Sequence, residues 1–182
     1  MKKSYFIFVG FLFFALWFSP LQCNSQIQRS FWNLELGKTT KEEVKRFLSA
    51  KGYNYNQDAG GMDAIRIEDP YRLPLAGYSW DVWFCFSHGT LFQIMLTKSP
   101  IEFGANGMID LREDNESLYN SLKDKLSYKY SYAERVVIPD SPNEYVLKDS
   151  RTIVTLNFVE YSVYLIYSDR AILRSLQNGD DL

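Results

Sequence analysis

Trp80-Asp81-Val82-Trp83-Phe84-Cys85-Phe86-Ser87-His88-Gly89-Thr90-Leu91-Phe92-Gln93-Ile94-Met95-Leu96-Thr97 decides the fold class of this chain. Trp80, Val82, Phe84 and Phe86 alternate with Asp81, Trp83, Cys85 and Ser87. A period of two gives a strand with two unlike faces. Ser87-His88-Gly89-Thr90 is a turn: glycine reaches positive φ without strain, and histidine is among the residues that tolerate it. The run from Leu91 to Thr97 then returns as the second strand. The pattern predicts a β-hairpin.

The same patterns extend outward. Thr40 and Glu43 form a capping box that starts a helix over about 41–51. Val44, Phe47, Leu48 and the stem of Lys51 share one helical stripe, and Gly52 ends it. Ile65 and Ile67 predict a strand, and 69–77 reads as a loop with Pro70, Pro74 and Gly77. Residues 99–110, with Pro100, Gly104 and Gly107, read as a connecting loop. Leu118, Leu122 and Leu126 mark a helix over about 114–128, with Asp114 or Asn115 as cap. Val136 to Ile138 reads as a short strand before Pro139. Val154, Leu156 and Phe158 face Val163, Leu165 and Tyr167 in another hairpin, whose glycine-free turn near Glu160-Tyr161 leaves the register open. A helix from about Asp169 to Gln177 closes the chain, before a frayed polar tail from Asn178 to Asp181. The expected class is α+β: an antiparallel sheet built of hairpins with amphipathic helices packed on one face. The order also divides into two α-β-β-β halves, 36–98 and 111–177, with little residue identity between them.

The N-terminus supplies an address. Lys2 and Lys3 precede an apolar run from Tyr5 to Phe18, stopped by Ser19 and Pro20. That run falls short of the roughly 20 residues a spanning helix needs. It matches a signal peptide over 1–25, with cleavage before Gln26, so 26–182 is the single exported domain. Lipid attachment at Cys23 is the rival, although Pro20 and Gln22 fit a lipobox poorly. Export to a periplasm or cell surface is therefore expected, lipid-anchored only if Cys23 is processed. The formal net charge is −2, with no basic stripe, which argues against nucleic acid as a partner. Cleavage leaves Cys85 as the one cysteine, so no disulfide framework is available within the domain.

Several chemistries lack their residues. His88 is the single histidine and sits in a predicted turn, so a Ser-His-Asp or Cys-His site has no other base. Cys85 in its apolar run reads as a small buried hydrophobe. There is no phosphate-cradling glycine loop; Gly60-Gly61 is a pair in a polar segment. Asp110, Glu113, Asp114 and Glu116 offer oxygen ligands for calcium, but acids ahead of a helix also favour its dipole. Asp81, between Trp80 and Trp83, is the carboxylate best placed for a glycosidase pair. Asn115-Glu116-Ser117 fits a glycosylation acceptor. Neither a catalytic residue, a metal site nor a cofactor is assigned. Aromatics make up 16% of the chain. Trp32 and the alternating Tyr128, Tyr130 and Tyr132 are the candidates for an exposed binding surface.

Leu36-Gly37-Lys38-Thr39-Thr40-Lys41-Glu42-Glu43-Val44, with the Trp80 hairpin, resembles small exported envelope domains. The resemblance is to the outer-membrane assembly lipoprotein type (SmpA/OmlA, or BamE) and the β-lactamase-inhibitor-protein type, and spans about 36–97. It implies a non-enzymatic, protein-binding role and carries over no binding residue. The expected function is a non-catalytic interaction module of the bacterial cell envelope, its partner another envelope protein or a surface ligand. The alternatives are an exported hydrolase with paired carboxylates and a structural subunit of a surface assembly.

Overall fold

The computed structural model describes residues 26–57, 61, 63–68, 72–104, 107–139 and 141–179. The signal segment 1–25, Cys23, Gly60, residues 69–71 of the predicted loop and the end of the tail lie outside them. The fold is mixed α/β, mostly antiparallel sheet with three helices among the described residues. In chain order it runs β1 (Ser30–Phe31), β2 (Leu34–Glu35), α1 (Lys41–Ala50), β3 (Tyr55–Gln57), β4 (Ala64–Ile67), β5 (Leu73–Leu75), β6 (Tyr78–Ser87) and β7 (Thr90–Lys98). It continues β8 (Ile101–Gly104), β9 (Gly107–Asp110), α2 (Arg112–Lys129), β10 (Glu134–Val136), β11 (Glu144–Lys148), β12 (Thr152–Val159), β13 (Ser162–Asp169) and α3 (Arg170–Asn178). No helix among the described residues is long and apolar enough to cross a membrane.

The main sheet has the order β10-β11-β12-β13-β7-β6-β4-β3, with β5 on β6. Its centre joins two strands far apart in the chain: β13 pairs antiparallel with β7. There Leu165 lies opposite Leu96, Ile166 opposite Met95 and Tyr167 opposite Ile94. The predicted hairpin is present, with His88 at φ 49 and Gly89 at φ 76. A β-bulge between Cys85 and Phe86 shifts its register.

Trp80, Val82, Phe84, Leu91, Ile94 and Leu96 are fully buried. They join Val44 and Leu48 of α1, Leu118, Leu122 and Leu126 of α2, and Val154, Leu156, Val163 and Leu165 in one core cluster. The Trp80 indole N–H donates to the Leu75 carbonyl at 3.0 Å, so its burial leaves no donor unpaired.

Local signals account for α1. Thr40 accepts from the Glu43 N–H, and Glu43 accepts from the Thr40 N–H at 2.8 Å, which completes the capping box. The segment before it clips onto the hairpin. Gly37 N–H donates to Leu91 O, Leu91 N–H to Thr39 O, and Lys41 N–H to Gly89 O, each at 2.8 Å.

Helix α2 corrects the prediction. It starts at Arg112, two residues early, and neither Asp114 nor Asn115 caps it. Asp110 accepts from the Arg112 N–H instead. Asn115 is buried, and its amide donates to Ser99 O at 3.0 Å and Tyr161 O at 2.9 Å. A side chain so placed is a structural clamp, not a glycan acceptor in the folded protein. The clamp also bears on the glycine-free turn. Glu160 and Tyr161 both have positive φ, 49° and 62°, and Asn115 holds the Tyr161 carbonyl while the Tyr161 ring meets Phe158 edge-on. The register left open by sequence is the continuous ladder from Thr152 opposite Asp169 to Val159 opposite Ser162.

Other boundaries differ. The strand expected at Val136 to Ile138 is β10, ending at Val136. Leu73–Leu75 is a strand inside the predicted 69–77 loop. Residues 99–110 hold the β8–β9 hairpin, a separate two-stranded unit. Helix α3 runs to Asn178, one residue past the expected end, with Asp169 as its N-cap.

Candidate binding face

Cross-strand partners share a face of the sheet. From Trp83 the register therefore defines a row. Trp83 lies opposite Arg66 on one side and Met95 on the other. Met95 lies opposite Ile166, Ile166 opposite Thr155, and Thr155 opposite Val146. This row crosses β4, β6, β7, β13, β12 and β11. None of its members belongs to the core cluster or packs against it. Val146 is buried and the rest are half-buried. A sheet face turned away from the core ordinarily carries polar residues, so Trp83, Met95 and Ile166 side by side at its centre are an exception that calls for a cause.

The flanking rows are more polar. Asp81, Thr97, Tyr164, Asn157 and Glu144 form one. Cys85, Gln93, Ser168, Ile153 and Lys148 form the other. Ion pairs mark the margins: Arg72 with Asp81 at 2.7 Å and Lys148 with Glu134 at 2.9 Å. The Arg66 guanidinium stands 5.3 Å from the centre of the Trp83 ring, within cation–π range. An apolar centre inside a polar margin is the anatomy of a protein–protein interface, and Trp and Arg are enriched among the residues that dominate binding energy.

The reactive side chains occupy quieter places. Cys85 is buried, and burial, with a smaller contribution from Asp63, pushes its thiol up to about 11. A protonated thiol at neutral pH is a poor nucleophile. His88 is exposed on its turn. The Asp81 carboxylate faces Arg72 rather than a second acid. Asp110 is clamped by the Arg112 side chain, which holds its carboxyl down at about 2. That carboxylate stays ionised where a general acid would need its proton. Among the described residues no group of three or more His, Cys, Asp or Glu is arranged to hold a metal.

The tyrosine stripe is not one surface. Tyr128 lies in α2 and is 89% exposed, Tyr130 follows the helix and is 2% exposed, and Tyr132 is 41% exposed. Their alternation in sequence imitates a strand, but the helix continues through Lys129 and turns the first away from the others. Trp32, by contrast, lines a cavity beside α1. Sequence reasoning missed the row through Trp83 because its membership depends on the β7–β13 pairing. Trp83 alone was legible, as the large side chain on the polar-facing parity of its strand.

No family model, curated protein or solved structure matches this chain.

Proposed function

We propose that the chain is an exported, non-catalytic interaction module of the bacterial cell envelope that grips a folded protein partner on the face centred on Trp83. The observation that carries this reading is the half-buried apolar run Trp83–Met95–Ile166 on the side of the sheet away from the core. The reading includes an architecture of two halves, 36–98 and 111–177, with helices packed on the core side and the other face left for a partner. Support comes from the order of the sheet, in which the last strands of the two halves, β7 and β13, meet at the centre. The start of α1 bridges to Thr90 beside the His88-Gly89 turn, and Asn115 near the start of α2 holds the Glu160-Tyr161 turn.

Pull-down from an envelope extract tests the face. Trp83→Asp is expected to keep the fold, because the side chain lies outside the core cluster. It is expected to weaken capture of the principal partner by about 2 kcal/mol or more, roughly 30-fold. Equal recovery by the wild type and the variant sinks the proposal, and so does the absence of any retained protein.

One observation favours a second reading, a subunit of a surface assembly. The β8–β9 hairpin stands off the main sheet and exposes Ile101, Met108 and Ile109. The sheet edges β3 and β10 are only three residues each, which disfavours edge-to-edge growth. Assembly would therefore run through the hairpin. This reading predicts concentration-dependent self-association in sedimentation, abolished by Met108→Lys; a monomer at all concentrations refutes it.

A further inference from the structure

A second site lies away from the Trp83 face. A cavity of about 530 Å³ opens between α1, the β1–β2 turn and β5, within the size range of small-ligand pockets. Its aromatic lining is Trp32, Phe47 and Tyr53, and its polar lining includes Asn33, Glu43 and Lys51. Trp32 and Asn33 are the two central residues of the β1–β2 turn, with φ 51° and 69°. Asparagine tolerates that conformation; a bulky aromatic residue is a genuine outlier there. Backbone strain concentrates where a side chain must be held in a particular place.

The indole is fixed on two sides. Its N–H donates to the Pro74 carbonyl at 3.1 Å, and the ring meets Phe84 edge-on with centroids 6.2 Å apart. Its hydrogen-bond donor is thus committed within the protein, and the apolar ring is what remains for a ligand. Glu43 uses Oε2 for the capping bonds to Thr40, while Oε1 takes part in neither. Glu43 and Lys51 carry opposite charges two helical turns apart. The site therefore presents an aromatic wall, both donors and acceptors, and no net charge.

We propose that this cavity binds a neutral carbohydrate, a mono- or disaccharide unit stacked on Trp32. A pyranose has an apolar C–H face, which suits the negative face of an aromatic ring. Its hydroxyls donate and accept at once, which suits the mixed Asn33, Glu43 and Lys51 lining. A proline-rich peptide fits less well, since proline has no N–H to donate to Glu43, whereas a sugar hydroxyl both donates and accepts.

The test titrates the purified protein with maltose, cellobiose and N,N′-diacetylchitobiose at millimolar concentration and follows amide and indole N–H chemical shifts. The expected result is that at least one sugar shifts the Trp32 indole and the backbone of Asn33, Glu43 and Phe47. Trp32→Gly removes the ring and suits the left-handed turn, so it is expected to weaken that sugar by roughly tenfold or more. No perturbation by any of the three sugars overturns the proposal, as does one centred on Trp83 or one that survives in Trp32→Gly. A polyproline peptide that shifts this cavity when no sugar does also overturns it. If Trp32→Gly fails to fold, the wild-type map still decides. Because the cavity and the Trp83 face are separate, either proposal can fail alone.

Discussion

Arg29→Ala is expected to destabilise the fold by about 3–5 kcal/mol, the cost of leaving a buried charge without its partner. Arg29 and Asp169 are both buried and form an ion pair. The guanidinium also donates to Arg151 O at 2.8 Å, Thr152 Oγ1 at 3.2 Å and Leu36 O at 2.6 Å. Asp169 in turn accepts from the backbone N–H groups of Ala171 and Ile172 and so caps α3. One side chain thus ties the segment before β1 to the central sheet and to the last helix. Urea unfolding would show the loss as a lower midpoint with an unchanged slope.

The same pair predicts a pH dependence. Burial pushes the Asp169 carboxyl up, but the Arg29 guanidinium and the backbone N–H groups outweigh it and hold it below its ordinary value. The unfolded chain then binds the proton more tightly than the folded one, so stability rises with pH through this window. The contribution is complete above the ordinary Asp value of about 3.9 and disappears as the pH falls through the lower folded-state value. The gap between wild type and Arg29→Ala should therefore narrow in acid. A gap that stays constant from neutral pH down to about pH 2, below the ordinary Asp range, would show that the ion pair does not carry the stability.

Gly37→Ala is expected to cost a comparable amount, about 2–4 kcal/mol, by a different route. Gly37 has φ +78, and a Cβ there would lie 2.5 Å from Asp169 Oδ2 and 3.0 Å from Arg29 Nη2. Alanine must adopt a strained left-handed conformation and also push the buried pair apart. Because both substitutions break one ion pair, the double variant Arg29→Ala/Gly37→Ala should lose much less than the sum of the singles. Strict additivity in thermal or urea unfolding would mean that Gly37 acts through its backbone alone. The glycine in the Leu36-Gly37-Lys38-Thr39-Thr40 motif thus has a physical reason. It lets the chain pass against a carboxylate that lies over a hundred residues away in sequence.

The sequence by itself determined the parts whose physics is local. Thr40 and Glu43 are three residues apart, which is the distance a capping box spans, so α1 was legible to within a residue. His88-Gly89 supplies the conformation a two-residue hairpin turn needs, and alternation from Trp80 to Phe86 marks the core-facing parity. Leu118, Leu122 and Leu126 marked the second helix, although its start was missed because the N-cap is Leu111, which offers no capping side chain.

Only the tertiary structure decided the rest. Strands β5, β8 and β9 carry Pro or Gly at positions that read as loop, and they exist because a neighbouring strand accepts them. The clamp of Asn115, the Arg29–Asp169 pair and the β7–β13 junction join residues far apart in the chain. The Trp83 face and the Trp32 cavity are assembled by such contacts. A local pattern records which way a side chain points from its own strand. It holds no record of which distant strand will lie beside it, because that choice is made by the burial of the whole core.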